Sequence, residues 1–95
     1  MVTGTDGIAA AAERLGALAG DLDRRGFAAQ LVKGGGYPHM SVTNPMATAL
    51  CETIFAAPAE DGSWWFWWSW ADRIAPVEDV EVTASRVCLL LTTHD

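Results

Sequence analysis

The chain has 95 residues, of which 51% are hydrophobic and 19% charged, and its twelve acidic and six basic side chains give a net charge of −6. This composition is too apolar for a disordered chain, and the length permits one hydrophobic core, so we predict a single domain over residues 1–95. The negative charge repels phosphate backbones and anionic lipid surfaces. We therefore expect neither nucleic acid nor a membrane as a partner.

The terminal segment and the cysteines bear on location. The sequence does not begin with a basic segment followed by an apolar run, and no apolar stretch approaches the length that spans a bilayer. Cys51 and Cys88 lie far apart and form no C-x-x-C pair. We expect a cytoplasmic protein in which both cysteines are buried free thiols.

Two segments have the three-four spacing of apolar residues that is typical of amphipathic helices. The first runs from Asp6 to Arg25, and Gly26 follows as a stop signal. The second begins near Pro76, which suits a first helical turn. The predicted apolar stripes are Ile8, Ala11, Leu15, Leu18 and Leu22 in the first helix, and Val77, Val80, Ala84, Val87 and Leu91 in the second.

Between the helices the sequence favours strands separated by turn residues. Glycines 34–36 predict a turn, and Met46–Leu50 predicts a helical turn after Asn44-Pro45. The predicted strands are Phe27–Val32, Pro38–Thr43, Leu50–Ala57 and Ser63–Trp70. This order, α-β-β-β-β-α, predicts an α+β two-layer sandwich with an antiparallel sheet and two flanking helices. The order of the strands within the sheet stays open.

The last predicted strand contains all five tryptophans of the chain. Because side chains alternate along a strand, Trp64, Phe66, Trp68 and Trp70 share the core face while Trp65 and Trp67 point to the opposite face. A two-residue Asp61-Gly62 hairpin would add residues of the preceding strand to the face of Trp65 and Trp67. A three-residue loop would reverse the face of that strand. With the two-residue loop, the candidate interaction surface is Trp65, Trp67, Ile54 and Ala56.

Three interpretations of this aromatic surface remain open. A second copy or another protein could cover it, since tryptophan is frequent among binding hot spots. Alternatively, one helix could pack on each face of the sheet, so that all the tryptophans are core residues. A small molecule could also bind in an aromatic pocket between the sheet and a helix.

Few residues suggest chemistry. The glycines at 34–36 lack the Lys-Ser/Thr that completes a phosphate-binding loop, and His39 and His94 have no metal-site spacing. Cys51 with His39 and Glu52 is the one arithmetically possible catalytic set, but neighbouring strand residues point to opposite faces. We expect no enzyme activity, no metal and no cofactor.

The run from Asp61 to Trp70 (DGSWWFWWSW), followed by Arg73-Ile74-Ala75-Pro76, resembles a Trp-rich strand of small actinobacterial proteins without an established activity. That resemblance implies kinship over most of the chain and no site residues. The chain is also loosely similar to small acidic secretion-chaperone-like homodimers. We therefore predict a non-enzymatic protein-interaction module, regulatory or chaperone-like and homodimeric, with a small-molecule-binding domain as the alternative.

Overall fold

The computed structural model describes residues 3–33 and 36–92. Its elements in chain order are α1 (Thr3–Arg24), β1 (Ala28–Val32), β2 (His39–Asn44), β3 (Ala47–Pro58), β4 (Trp64–Trp68), β5 (Arg73–Pro76) and α2 (Val80–Leu90). The strands form one antiparallel sheet in the order β1-β2-β3-β4-β5. The predicted α+β class is confirmed, with five strands instead of four. Part of the predicted turn at glycines 34–36, and His94, lie outside the described residues.

Helix α1 follows the predicted apolar stripe over most of its length. Ala11, Leu15, Leu18 and Leu22 are fully buried, whereas Ile8 near the N-terminal end is 44% exposed. The helix ends where Gly26 adopts a φ of +91° and the Phe27 amide donates to the Leu22 carbonyl at 3.0 Å. Glycine stops the helix here because it reaches positive φ without a Cβ clash.

Both helices pack on the same face of the sheet. One buried cluster joins α1 and α2 to the inward side chains of the strands, and α1 also contacts α2 directly. The buried strand residues on this face are Met40, Val42, Ile54, Ala56, Phe66 and Ile74. The alternative arrangement, with one helix on each face, is therefore wrong.

Two segments that the sequence predicts to be helical have another structure: Met46–Leu50 forms a turn and the start of β3, and Pro76 is the last residue of β5. Met46 lies in a tight turn, and the strand β3 already begins at Ala47, so the predicted helical turn at Met46–Leu50 is wrong. Pro76 ends β5 rather than starting α2. Its fixed φ and missing amide are compatible with the end of an edge strand as well as with a first helical turn. Pairing with β4 decides between them.

The hairpin between β3 and β4 sets the orientation of β3. The Ala59 amide donates to the Ser63 carbonyl at 2.7 Å, and the Gly62 amide donates to the Ala59 carbonyl at 3.0 Å. These bonds enclose a three-residue loop, Glu60-Asp61-Gly62, with Gly62 at a φ of +88°. A type I turn followed by a left-handed residue is the usual geometry for this loop length. The predicted two-residue loop is wrong, although the positive φ of Gly62 agrees with the hairpin turn.

Within the described residues, neither helix is both long enough and apolar enough to cross a lipid bilayer.

Candidate functional site

The sheet face opposite the helices, which we call the open face, is covered by no described helix or strand. Residues reach it by alternation with the buried positions of each strand. Its members are Ala28, Gln30, Val32, His39, Ser41, Thr43, Cys51, Thr53, Phe55, Ala57, Trp65, Trp67, Arg73 and Pro76. Aromatic residues lie toward the β4 end of this face, and hydroxyl residues lie toward β2.

The structure separates the four residues of the predicted interaction surface. Trp65 and Trp67 lie on the open face and are half-buried. Ile54 and Ala56 are 0% exposed in the core, so their predicted placement beside the tryptophans is wrong. The three-residue loop pairs Phe55 with Trp67, one residue away from the predicted register. A shift of one residue sends every side chain of β3 to the other face.

The two open-face indoles are held in place by their own hydrogen bonds. The Trp65 Nε1–H donates to the Ser63 hydroxyl at 3.0 Å, and the Trp67 Nε1–H donates to the Ala57 carbonyl at 2.9 Å. A buried or half-buried indole N–H needs such a partner. With both donors satisfied, the rings present their apolar surfaces outward.

Arg73, the first residue of β5, contacts both tryptophan rings. Its guanidinium carbon lies 4.8 Å from the Trp65 ring centroid and 5.7 Å from that of Trp67, both within cation–π distance. Sequence reasoning missed this residue as part of the surface, because β5 was not predicted. The apolar pair Ile74-Ala75 after the tryptophan strand was the one signal in the sequence for a further short strand.

A shallow groove of about 270 Å³ lies beside Trp67, where the open face meets the loop that follows β4. The Tyr37 hydroxyl donates to the Ala56 carbonyl at 2.9 Å, and burial raises the pKa of Tyr37. The His39 and Phe55 rings lie 5.8 Å apart at an angle of 47°. The groove lining is Tyr37, Phe55, Ala57, Trp67, Trp68, Ser69 and Ala71. It contains no helix residue, so the groove differs from the predicted pocket between sheet and helix.

Charge is distributed unevenly between the open face and its surroundings. None of the open-face residues is acidic, and Arg73 is the one among them with a permanent charge. The acidic residues nearest the aromatic end lie in the loops. The Asp61 carboxylate accepts hydrogen bonds from the Ser63 hydroxyl at 2.7 Å and from the Ser63 amide at 3.0 Å. The hydroxyl bond, followed by the amide bond, lowers the pKa of Asp61. The open face is thus close to neutral in a protein of net charge −6.

The residues considered for catalysis are not brought together. Cys51 pairs with Thr43, four residues along β2 from His39, which corresponds to about 13 Å. Glu52 pairs with the buried Val42 and so belongs to the helix side of the sheet. Among residues 3–33 and 36–92, no three His, Cys, Asp or Glu side chains cluster closely enough to hold a metal ion.

The cysteines are free, as the sequence predicts, but their burial differs from the prediction. Cys51 is exposed on the open face, and Cys88 is half-buried in α2. Cys51 was expected to be buried because its neighbours are apolar. Near a strand irregularity, those neighbours do not cover it.

Comparison with known proteins gave no match: no protein-family model, no curated protein and no solved structure matches the chain.

Proposed function

We propose that this protein is a non-enzymatic protein-interaction module, regulatory or chaperone-like, that acts as a homodimer through its open face. The observation that carries the proposal is an aromatic surface that no described element of the chain covers. At its centre, Trp65 and Trp67 are fixed by hydrogen bonds and joined by Arg73. A cytoplasmic location remains part of the proposal, because Cys51 and Cys88 are unpaired.

The residue types of this surface favour a protein partner. Trp, Tyr and Arg are the residues most enriched among binding hot spots, and the aromatic end combines Trp65, Trp67, Tyr37 and Arg73. The indole and phenol donors are already bonded within the chain, so binding a partner leaves none of them unsatisfied. An apolar partner surface can therefore cover them without a desolvation penalty for these groups.

The charge distribution favours a second copy of the same chain as that partner. Two molecules of net charge −6 repel each other wherever their acidic surfaces meet. The open face has no acidic residue, so a twofold contact through it keeps the carboxylates of both copies at its rim. The centres of protein interfaces also contain few charged residues and are enriched in aromatic residues and arginine.

The groove supports small-molecule binding as a second candidate function. A concave, mainly apolar site with a few polar groups is the usual form of a ligand pocket. At about 270 Å³ the groove is slightly below the usual range of such pockets, and its walls offer π faces rather than free donors. We rank it second for these reasons.

The test is the mass of the protein in solution by light scattering, for the parent and for the double variant Trp65→Ser/Trp67→Ser. We expect a dimer for the parent and a monomer for the variant, with far-ultraviolet circular dichroism unchanged. Trp70→Ser is the matched control, because Trp70 is 50% exposed and lies outside the open face; this variant should remain dimeric. A parent that stays monomeric at high micromolar concentration contradicts self-association. Thermal stabilisation by a metabolite would favour the groove instead.

A further inference from the structure

Strand β3 extends far beyond its neighbour β4. It has twelve residues, but only Ile54–Pro58 pair with β4. The first of these pairs joins Ile54 to Trp68, and the last joins Pro58 to Trp64. The segment Ala47–Thr53 therefore has no described strand beside it on the β4 side. At a rise of about 3.3 Å per residue, this free edge is about 23 Å long. We call the free edge, together with the loop Ser69–Asp72 at its end, the β3 notch.

The free edge presents backbone donors and acceptors without strand partners. Such an edge is a template for another strand, and proteins commonly block it with lysine, proline or a bulge. Within Ala47–Thr53 there is no lysine and no proline, and Thr48, Ala49 and Cys51 are exposed. A register shift against β2 makes residues 48–50 irregular, but Cys51–Thr53 pair regularly with β2. This regular part lies next to the point where β4 leaves the sheet.

An exposed tryptophan is held rigidly at the closed end of the notch. The Trp70 ring stacks on Trp68 with centroids 5.1 Å apart and an interplanar angle of 5°. Its Nε1–H donates to the Asp72 carboxylate at 2.9 Å. Trp70 nevertheless remains 50% exposed, so its predicted place on the core face is wrong, because β4 already ends at Trp68. The ring is thus fixed in one orientation while half of its surface is open to solvent.

Two carboxylates make hydrogen bonds with side chains of the loop Ser69–Asp72. Glu52 extends from the free edge and accepts a hydrogen bond from the Ser69 hydroxyl at 2.8 Å, which ties it to the same loop. Asp72 holds the indole. Among the described residues, neither carboxylate has a lysine or arginine within ion-pair distance. A π face with two carboxylates that lack a cationic partner matches a positively charged side chain.

We propose that the β3 notch binds an extended segment of a partner protein by strand addition, with a lysine or arginine of that segment on Trp70 beside Glu52 and Asp72. The backbone of the segment continues the line of β4 along Cys51–Thr53. Attraction between its cation and an acidic protein favours the encounter. The inference rests on and deepens the proposed function, since it names a partner for an interaction module, but it uses the free edge of β3 and Trp70 instead of Trp65 and Trp67.

The probe is a set of capped peptides about seven residues long, made of alternating Thr and Val, in which one lysine occupies each position in turn. Binding is followed by two-dimensional NMR of the full chain. We expect at least one peptide to shift the amides of residues 51–53 and the indole N–H of Trp70. Replacing its lysine by glutamate should weaken binding about tenfold, and N-methylation of its backbone should abolish it.

Variants of the protein separate this site from the dimer interface. Trp70→Ser and Glu52→Gln should each weaken binding of the best peptide about fivefold or more. Trp65→Ser/Trp67→Ser and the remote Glu60→Gln should leave it unchanged, so failure of the open-face dimer does not affect this test. The proposal is overturned if no peptide of the set binds at millimolar concentration, or if lysine and glutamate peptides bind alike. It is also overturned if Trp70→Ser converts a parent dimer to a monomer, because a second copy then occupies the notch.

Discussion

Gly62 and Ala71 occupy the same position in two successive hairpin loops. In the first loop the Gly62 amide donates to the Ala59 carbonyl at 3.0 Å, and the Ala59 amide donates to the Ser63 carbonyl at 2.7 Å. In the second loop the Ala71 amide donates to the Trp68 carbonyl at 3.0 Å, and the Trp68 amide donates to the Asp72 carbonyl at 2.8 Å. Both positions have a left-handed backbone, with φ values of +88° for Gly62 and +71° for Ala71. One loop therefore has the residue that this conformation favours, and the other does not.

Ala71→Gly should stabilise the protein. A left-handed conformation costs an L-residue roughly 1–2 kcal/mol, whereas glycine adopts it freely but loses more chain entropy on folding. We expect a net gain of about 0.5–1 kcal/mol in the free energy of unfolding. Urea denaturation followed by tryptophan fluorescence measures it. An unchanged or lowered midpoint at equal slope would mean that Ala71 is not strained.

The reciprocal change, Gly62→Ala, is the matched counterpart and should destabilise by about 1–2 kcal/mol. A Cβ at Gly62 meets no other atom within 4 Å, so the effect isolates the backbone conformation. Gly16→Ala in α1 is the control, because a Cβ there also meets open space and the position is helical. There the same substitution should stabilise, by up to about 1 kcal/mol.

These loops also explain how far the sequence determines the fold. The helices were predictable because apolar residues three or four positions apart lie on one helical face, as do Leu15, Leu18 and Leu22 in α1 and Ala84 and Val87 in α2. The Gly62 turn was predictable from Asp-Gly, but its length was not. Two-residue and three-residue loops accept the same residues, and the sequence contains no signal that separates them.

The face of β3 was unpredictable for a related reason. Ile54 and Ala56 on one side, and Phe55 and Ala57 on the other, are all apolar. Alternation of polar and apolar residues normally fixes which side is buried, and this strand has none at its centre. The site was therefore predicted in part: Trp65 and Trp67 follow from alternation around Phe66, whereas the contributions of β3 and of Arg73 depend on long-range pairing.

Phe66→Ala should be among the most damaging single substitutions. Phe66 is the largest fully buried side chain among the described residues and belongs to the hydrophobic cluster between the sheet and the helices. Its truncation leaves a cavity, and we expect a loss of roughly 3–5 kcal/mol. Thermal and urea unfolding measure the loss. Trp68→Ala should cost less, because Trp68 is only half-buried. Equal losses at the two positions would contradict the assignment of Phe66 to the centre of the core.

Asn44→Asp should weaken the contact between the β2–β3 turn and the end of α2. The Asn44 Nδ2 donates to the Leu91 carbonyl at 2.9 Å, while its Oδ1 accepts from the Met46 amide at 2.9 Å. Aspartate can still accept from the Met46 amide, but its second oxygen cannot donate to the Leu91 carbonyl and is repelled by it. We expect a loss of about 1–3 kcal/mol. Hydrogen exchange should show faster exchange at the C-terminal turn of α2 and little change at the Met46 amide.

The control is Asn44→Ala, which removes both bonds and should also expose the Met46 amide to exchange. If Asn44→Asp leaves the α2 amides protected, the bond to Leu91 does not hold the helix end.

The two thiols should react at different rates. Cys51 is exposed on the open face, whereas Cys88 is half-buried, and burial raises the pKa of Cys88. Nearby Arg25 opposes this rise and Asp21 adds to it, both less than burial does. Because the thiolate is the reactive form, a raised pKa leaves less of it at neutral pH, and the rate at Cys88 should keep increasing into the alkaline range.

Alkylation by iodoacetamide, followed by mass spectrometry, should show one fast and one slow phase. Cys51→Ser should remove the fast phase and Cys88→Ser the slow one. Equal rates for both cysteines in the folded protein, across the pH range, would contradict the half-buried position of Cys88 in α2; in urea the two rates should converge, since unfolding removes the difference in burial.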